Sequence, residues 1–193
     1  MGGPQLLWEA EVDAWNLLGF AFLDGRHADY RPGSPDIAKV VATMGRLASV
    51  RCPDLPQLKQ AERRWARYVD SGADLALLSG RTLLHTDYNP DNVIIQNETA
   101  RLIDWAWLTK GAPFIDPACF VVRLVAAGHT PAEAEAWVGT HPGWNRENQR
   151  GIDVIAVALS RMWAEIASDE PSSAWKADIA TSARAWAEHR HAV

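Results

Sequence analysis

The sequence LLHTDYNPDNVII, residues 83–95, and the segment LIDW at 102–105 determine how the rest of the chain is interpreted. A first apolar run leads into His85-Thr86-Asp87, and Asn92 follows just before a second apolar run. A third run ends in Asp104. This order predicts a loop carboxylate that can accept a proton from a hydroxyl group, followed by two oxygen ligands of the type that suits Mg²⁺.

The second and third apolar runs predict an antiparallel hairpin with a four-residue turn at 97–100. If Val93–Gln96 pairs with Arg101–Asp104, the arms have equal length and Asn92 lies near Asp104, since opposed residues of such a pair are about 5 Å apart. An amide oxygen and a carboxylate at that spacing can share one Mg²⁺ ion. The alternative is that Asn92 ends a strand and Asp104 begins a loop, with no metal between them.

Two further polar residues have a structural and a chemical interpretation. His85 can act as a second base, but the sequence favours a ring that bonds to the backbone and holds the loop. Asp116 can be a third metal ligand, but its place before Pro117 favours a residue that caps its own helix and braces the catalytic loop. We therefore predict structural support from both.

Composition excludes several classes of protein. The 193 residues carry a formal net charge of −5, which argues against a nucleic-acid binder. No apolar run approaches a membrane span of about 18 residues. The two cysteines, Cys52 and Cys119, lack metal-site spacing and are typical of a reduced, cytoplasmic protein. The ten tryptophans are interpreted mainly as large fillers of the core and of interfaces.

The remaining pattern predicts an α+β fold that is mostly α. Two strands are expected near Leu6–Trp8 and Trp15–Leu23, and a loop at 26–33. Helices are expected after the Ser34-Pro35 cap, from Pro56, after Asp116-Pro117 and in two long late segments, so that the chain is helical from Asp104 to its end. A Thr130-to-Glu133 capping box predicts one more helix start.

The spacing His85-x-Asp87-x-x-x-x-Asn92, followed by Ile103-Asp104, resembles the catalytic and metal-binding loops of the protein-kinase-like superfamily. Its form looks most like the aminoglycoside phosphotransferase and choline kinase family, in which an aromatic residue follows the metal-binding Asp. The resemblance implies a single domain, residues 1–193, with remnant strands and a hinge at 1–25 and a helical catalytic lobe at 26–193. That is a protein-kinase-like C-terminal lobe with a short N-terminal β segment.

The same resemblance implies roles for named residues. Asp87 would be the catalytic base, and Asn92 and Asp104 would bind Mg²⁺. ATP would place its adenine over Ile94 and Ile103, and against a hinge formed by the carbonyl of Ala21 and the amide of Leu23. Ala106 departs from the family, since many relatives carry an acid there.

A larger departure lies at the front of the chain. The superfamily uses a glycine-rich loop over the phosphates and a strand lysine, whereas Gly2-Gly3 is no phosphate loop and the first lysine is Lys39. The expectation is therefore that the N-terminal lobe is largely missing. An exposed apolar patch near Leu6, Trp8 and Trp15 would follow, covered by a partner chain or in a homodimer.

Two functions stay open at this point. The first is an ATP- and Mg²⁺-dependent phosphotransferase acting on a small hydroxyl compound, and the second is a non-catalytic kinase-like binding domain. A polycationic aminoglycoside acceptor would need carboxylates, for which four residues of the late helices are candidates: Asp153, Glu165, Asp169 and Glu170. The alternative for these four is an ordinary solvated acidic face.

Overall fold

The computed structural model describes residues 3–55 and 57–192; Gly2 and Pro56, the predicted start of a helix, lie outside these ranges. Of the described residues, 48% are helical and 17% are in strands, which confirms the α+β, mostly α, prediction. The strands are β1 (Leu6–Val12), β2 (Trp15–Phe20), β3 (Arg26–His27), β4 (Lys59–Gln60), β5 (Thr82–Leu84), β6 (Val93–Gln96), β7 (Thr99–Leu102) and β8 (Thr109–Gly111). The helices are α1 (Asp36–Ala48), α2 (Ala61–Arg64), α3 (Gly72–Ala76), α4 (Ile115–Ala126), α5 (Pro131–Val138), α6 (Gln149–Asp169) and α7 (Ala174–Ala192).

The first two strands form an isolated antiparallel hairpin, β1–β2. Both strands were predicted, although β2 ends at Phe20 and not at Leu23. Asp13 occupies the tight turn with a φ of 53°, a left-handed conformation that Asp tolerates better than most residues. The apolar side chains of this hairpin are largely exposed: Leu6, Leu7, Trp8, Val12, Trp15, Leu17, Leu18 and Phe20.

The second sheet has the order β3-β6-β7 and carries the hairpin predicted from the sequence. The predicted four-residue turn is wrong, because Gln96 pairs with Thr99 across the two residues Asn97 and Glu98. Both have positive φ, 46° and 61°, which matches the right-handed twist of the flanking strands. The register therefore shifts by two residues. Strand β3, which pairs with β6, also lies where a loop was predicted.

The third sheet has the order β4-β8-β5, with β4 parallel and β5 antiparallel to β8. Strand β5 matches the first predicted apolar run. The continuous helix expected after Pro56 is wrong, because the described part of that segment forms β4, the four-residue helix α2 and a 3₁₀ turn at Ala66–Tyr68. The expectation of helix throughout the segment after Asp104 is also wrong at β8.

The helices pack around one buried apolar cluster of the described residues. The predicted capping box of α5 is confirmed, since the Thr130 hydroxyl accepts from the Glu133 amide and the Glu133 carboxylate accepts from the Thr130 amide. Helix α1 begins one residue later than predicted, at Asp36, whose amide donates to Ser34 Oγ at 3.3 Å. Within residues 3–55 and 57–192, no helix has both the length and the apolar character needed to cross a membrane.

The tryptophans are less buried than predicted. Trp65 and Trp186 are fully buried and belong to the core. Four others are exposed, so a core role does not explain them: Trp8, Trp15, Trp107 and Trp175. Two of these lie on the β1–β2 hairpin, and the other two line a cavity that is described below.

Candidate active site

The loop after β5 is held from below by one buried carboxylate. Asp116, in the first turn of α4, accepts hydrogen bonds from the amides of His85 and Thr86, at 3.1 and 2.8 Å, and from the hydroxyl of Tyr88 at 2.9 Å. Burial raises the pKa of Asp116, and these three donors oppose that shift. Because the loop takes up its oxygens, Asp116 lies where the sequence prediction of a brace requires it.

The His85 ring fixes the same loop from the other side. Its Nε2–H donates to the Ile103 carbonyl at 2.9 Å, and its Nδ1 accepts from the Asp87 amide at 3.3 Å. The ring is fully buried and lies edge-to-face against Trp105, with the centroids 4.6 Å apart. Both ring nitrogens are therefore occupied, so the geometry matches a ring that holds the loop and leaves no free nitrogen for a second base.

Asp87 lines a cavity of about 450 Å³. Its Oδ1 accepts from the Asn89 amide and from Arg123 Nη2, each at 3.2 Å. Among the described residues, no donor reaches its Oδ2. The Asp87 carboxylate is thus oriented by one oxygen and open at the other.

Arg123 was missed by sequence reasoning. It is the one charged residue within the apolar stretch FVVRLV of α4, and that isolated cation was the available signal. An arginine on a buried helix face needs a carboxylate partner, and Asp87 is that partner.

The β6–β7 hairpin brings Asn92 and the Asp104 segment to the same end. The Ile103 amide donates to the Asn92 carbonyl at 2.9 Å, so Asn92 lies opposite Ile103, the residue before Asp104. The predicted register paired Asp104 with Val93, whereas Val93 pairs with Leu102. Asp104 follows with a φ of 55° and accepts from the Ala106 amide at 3.3 Å. The two-residue correction to the register leaves both side chains at the mouth of the hairpin.

The donor chemistry of this pair fits a hard cation. The Asn92 amide nitrogen points to the Asp87 carbonyl at 3.5 Å, which leaves Asn92 Oδ1 without a hydrogen bond from the described residues. An amide oxygen and an exposed carboxylate match Mg²⁺, which needs few protein ligands besides phosphate and water. The part of the chain that the structure describes contains no group of three or more His, Cys, Asp or Glu suited to a metal. Asn92 and Asp104 could therefore supply two ligands, and the remaining ones would come from phosphate and water.

The residues expected around adenine also come together in part. Gly25 packs directly on β6, because an added Cβ would be 2.7 Å from Ile94 Cγ2 and 2.5 Å from the Ile95 carbonyl oxygen. This contact places Gly25, two residues after Leu23, against Ile94. The Ala21 amide donates to the Gln5 carbonyl at 2.8 Å. Within the described residues, no hydrogen bond reaches the Ala21 carbonyl or the Leu23 amide.

The comparison with protein families assigns the chain to a family. The model of the phosphotransferase enzyme family (APH) matches residues 18–149, well over half of the chain. The chain belongs to the phosphotransferase enzyme family. The match includes the hinge segment, the loop after β5, the β6–β7 hairpin and α4. No curated protein matches the chain significantly in sequence.

Solved structures share the fold. An aminoglycoside phosphotransferase from Alicyclobacillus acidocaldarius subsp. acidocaldarius DSM 446 superposes with a TM-score of 0.67 at 13% identity, covering 100% of this chain and 75% of that one. The choline kinase LicA from Streptococcus pneumoniae gives 0.61 at 12% identity, with 97% and 75% covered. A choline/ethanolamine kinase family protein from Mesorhizobium loti gives 0.62 at 14%, with 98% and 76% covered. At these identities the likeness is one of fold.

The acidic residues considered for a polycationic acceptor do not form a pocket in this phosphotransferase-family chain. Three of them pair with basic residues of the same chain: Asp153 with Arg190, Glu165 with Arg67 and Glu170 with Lys176. Asp169 is exposed at the end of α6. None of the four lines the cavity beside Asp87.

Proposed function

We propose that the chain transfers the γ-phosphoryl group of ATP to a hydroxyl group of a small molecule in a Mg²⁺-dependent reaction. The observation that carries the proposal is Asp87 in the wall of the cavity, on a loop fixed by Asp116 and His85. Phosphoryl transfer depends mainly on positioning and on electrostatic stabilisation. A carboxylate that is already oriented before the substrate binds satisfies the first of these needs.

In this mechanism Asp87 is the base. The hydroxyl group of the acceptor enters the cavity and donates its proton to Asp87 Oδ2, while Oδ1 stays bonded to Arg123 and Asn89. Arg123 orients the carboxylate through Oδ1 and leaves Oδ2 open, since a hydrogen bond between charged partners is a strong one. A carboxylate in such a role typically contributes about 100- to 10,000-fold in rate.

Asn92 and Asp104 would hold Mg²⁺, which supplies charge neutralisation for the phosphate oxygens during transfer. The adenine of ATP would lie between the hinge and the apolar surface of Ile94 and Ile103. The free carbonyl of Ala21 and the free amide of Leu23 are a donor–acceptor pair suited to an adenine edge. These roles are proposals that rest on the hydrogen-bond pattern described above.

A second candidate is a non-catalytic kinase-like binding domain. The observation that favours it is the role of Lys39 in the fold. Lys39 lies on α1 and is paired with Asp36 at 3.5 Å and with Glu98 at 2.7 Å. It is therefore committed to a structural ion pair and not to a nucleotide phosphate.

Calorimetric titration of the chain with ATP, with and without Mg²⁺, tests the nucleotide site. We expect binding that strengthens with Mg²⁺, and an Asp104→Asn variant that loses this dependence. Asp91→Asn is the matched control, because Asp91 is an exposed acid of the same loop. Binding that ignores Mg²⁺, or equal losses in both variants, would contradict the proposed metal site. Mg²⁺-dependent binding without turnover would favour the second candidate.

The exposed β1–β2 hairpin suggests a macromolecular partner as well. We infer that a partner chain, or a second copy of this chain, covers its apolar face, because contiguous exposed apolar surface marks interaction sites.

Both Cys52 and Cys119 are free thiols, which supports the predicted reducing, cytoplasmic setting.

A further inference from the structure

The cavity beside Asp87 is rich in aromatic and basic side chains. Four partly exposed aromatic rings line it: Tyr68, Trp107, Trp163 and Trp175. Three arginines, Arg64, Arg67 and Arg123, also line it, and Asp87 is the only carboxylate among the lining residues. A wall of this composition differs from the acidic pocket that a polycationic acceptor would need.

One of these arginines has no anionic partner. Arg67 pairs with Glu165, and Arg123 pairs with Asp87. Among residues 3–55 and 57–192, no carboxylate lies within ion-pair distance of Arg64. Burial lowers the pKa of the Arg64 guanidinium, and the more distant carboxylates of Asp87 and Asp116, which raise it, do not offset that effect. The cavity therefore contains one unmatched positive charge.

The hydrogen bonds of Arg64 leave half of its guanidinium free. Only Nη1 is engaged, donating to Thr86 Oγ1 at 2.6 Å, to Thr109 Oγ1 at 3.1 Å and to the Trp107 carbonyl at 3.4 Å. Within the described chain, Nε and Nη2 have no acceptor. Those two donors form the fork that binds a carboxylate through two parallel hydrogen bonds. Thr86 is the residue before Asp87, so this bond holds Arg64 against the loop that carries Asp87.

The aromatic rings are already paired with cations of the chain itself. Arg67 lies 5.2 Å from the ring centre of Tyr68, Lys59 lies 4.9 Å from that of Trp107, and Arg123 lies 5.3 Å from that of Trp163. Lys176 lies 5.5 Å from that of Trp175. A cationic acceptor would approach rings that already lie next to a cation and would then meet Arg64, and like charges repel in both places.

We propose that the acceptor is a hydroxylated carboxylate with an apolar body, and that Arg64 determines this specificity by binding the carboxylate. The proposal rests on the proposed function, because it takes the cavity beside Asp87 as the acceptor site. Because Arg64 is the one arginine without a carboxylate partner, the acceptor should carry one anionic group. The donors Nε and Nη2 favour a planar anion such as a carboxylate, and the aromatic side chains can pack against the apolar part of the acceptor. Arg64 then positions the acceptor hydroxyl toward Asp87.

Three probes of one skeleton and different charge test the proposal by isothermal titration calorimetry of the full chain. Phenyllactate is an anion, phenylpropanediol is neutral and phenylalaninol is a cation, and all three carry a hydroxyl group. We expect phenyllactate to bind at least about tenfold more tightly than the neutral probe, because a hydrogen-bonded charge typically contributes that much or more. Phenylalaninol should bind most weakly.

Two variants of Arg64 assign the effect to that side chain. Arg64→Gln should weaken phenyllactate binding by about tenfold or more and leave the neutral probe unchanged. Arg64→Lys should restore part of the affinity, since it keeps the charge and loses the fork. Arg184→Gln, on the exposed face of α7, is the matched control and should behave as the parent chain. Circular dichroism of each variant verifies its fold. The comparison of the three probes on the parent chain tests the proposal even if a variant fails to fold.

Several outcomes would overturn the proposal. They are equal or tighter binding of phenylalaninol, no binding of any probe at millimolar concentration, and an Arg64→Gln variant that loses affinity for MgATP but not for phenyllactate. Calorimetry measures binding without chemistry. A chain that binds phenyllactate through Arg64 and transfers no phosphate would therefore contradict the proposed function alone, whereas one that turns over ATP and prefers phenylalaninol would contradict the specificity alone.

Discussion

The loop after β5 and the β1–β2 hairpin differ in how many contacts the rest of the chain provides to them. In the loop, His85, Thr86 and Tyr88 are buried, and Asp116 accepts a hydrogen bond from each. In the hairpin, every residue of β1 is exposed, including its apolar ones. The loop is therefore fixed by contacts within its own chain, while the hairpin presents an apolar face that this chain leaves uncovered. Replacing residues in each region measures this difference.

A matched pair of tryptophans gives the largest expected contrast. Trp186 is fully buried and its indole N–H donates to Glu135 at 2.7 Å, whereas Trp15 is 74% exposed. Trp186→Ala should lower the free energy of unfolding by about 3–5 kcal/mol, because it leaves a cavity in the core. Trp15→Ala should change it by no more than about 0.5 kcal/mol. Chemical denaturation measures both. A large loss for Trp15→Ala would mean that the hairpin is covered after all.

Removing the brace of the loop should cost nearly as much. Asp116→Ala leaves three buried donors without an acceptor, so we expect the free energy of unfolding to fall by about 3 kcal/mol or more. The exposed Asp178 on α7 is the control, and Asp178→Ala should stay within about 0.5 kcal/mol of the parent chain. Equal effects would show that the buried carboxylate is not what holds the loop.

Acid should destabilise the helical body through His141. Burial lowers the pKa of His141 from 6.5 to about 4 in the folded chain. The unfolded chain binds the proton more readily, so this contribution is complete above the unfolded pKa and is lost as the pH falls toward the folded one. Between about pH 7 and pH 5 the free energy of unfolding should fall by about 2 kcal/mol from this group.

The control for this pH effect removes the titrating ring and keeps its acceptor. His141 Nδ1 accepts from the Gly143 amide at 3.1 Å, and an Asn side chain can accept the same bond. His141→Asn should therefore abolish that part of the pH dependence, and His191→Asn, at an exposed position, should not. Denaturation curves at the two pH values decide between them. An unchanged slope in His141→Asn would assign the acid sensitivity elsewhere.

The smallest expected change in stability comes from substitutions on the exposed β1–β2 hairpin, which should instead change the assembly of the chain. Replacing Leu7 and Trp15 by Ser should leave the free energy of unfolding within about 1 kcal/mol, since both side chains are exposed. The same change should shift the chain from dimer to monomer in light scattering, if a second copy covers the hairpin. A parent chain that stays monomeric at high concentration would assign the hairpin to a different partner chain.

The fold class and the region of the site were predictable because their signals are local. The apolar run of β5, the Thr130 capping box and the spacing of Asp87, Asn92 and Asp104 are all readable from neighbouring residues. The family resemblance drawn from that spacing is confirmed by the match over residues 18–149. The roles of the individual site residues remain proposals.

The errors arose where tertiary contacts decide the structure. Asn97-Glu98 lacks the Gly that usually marks a two-residue turn, so the sequence favoured a longer one. Strands β3, β4 and β8 are two or three residues long and exist through their pairing, which leaves no periodicity to detect. Arg64 and Arg123 contact the loop after β5 from helices that are remote in sequence, and no local pattern predicts such contacts.

The role of Asp87 as the base of a phosphoryl transfer is tested by Mg²⁺-dependent turnover of ATP in the presence of hydroxyl acceptors. We expect turnover by the chain, a rate lower by about 100- to 10,000-fold in Asp87→Asn, and a rate within about twofold of the parent in Asp91→Asn, which changes an exposed acid of the same loop. Equal rates in Asp87→Asn and the parent chain would contradict it.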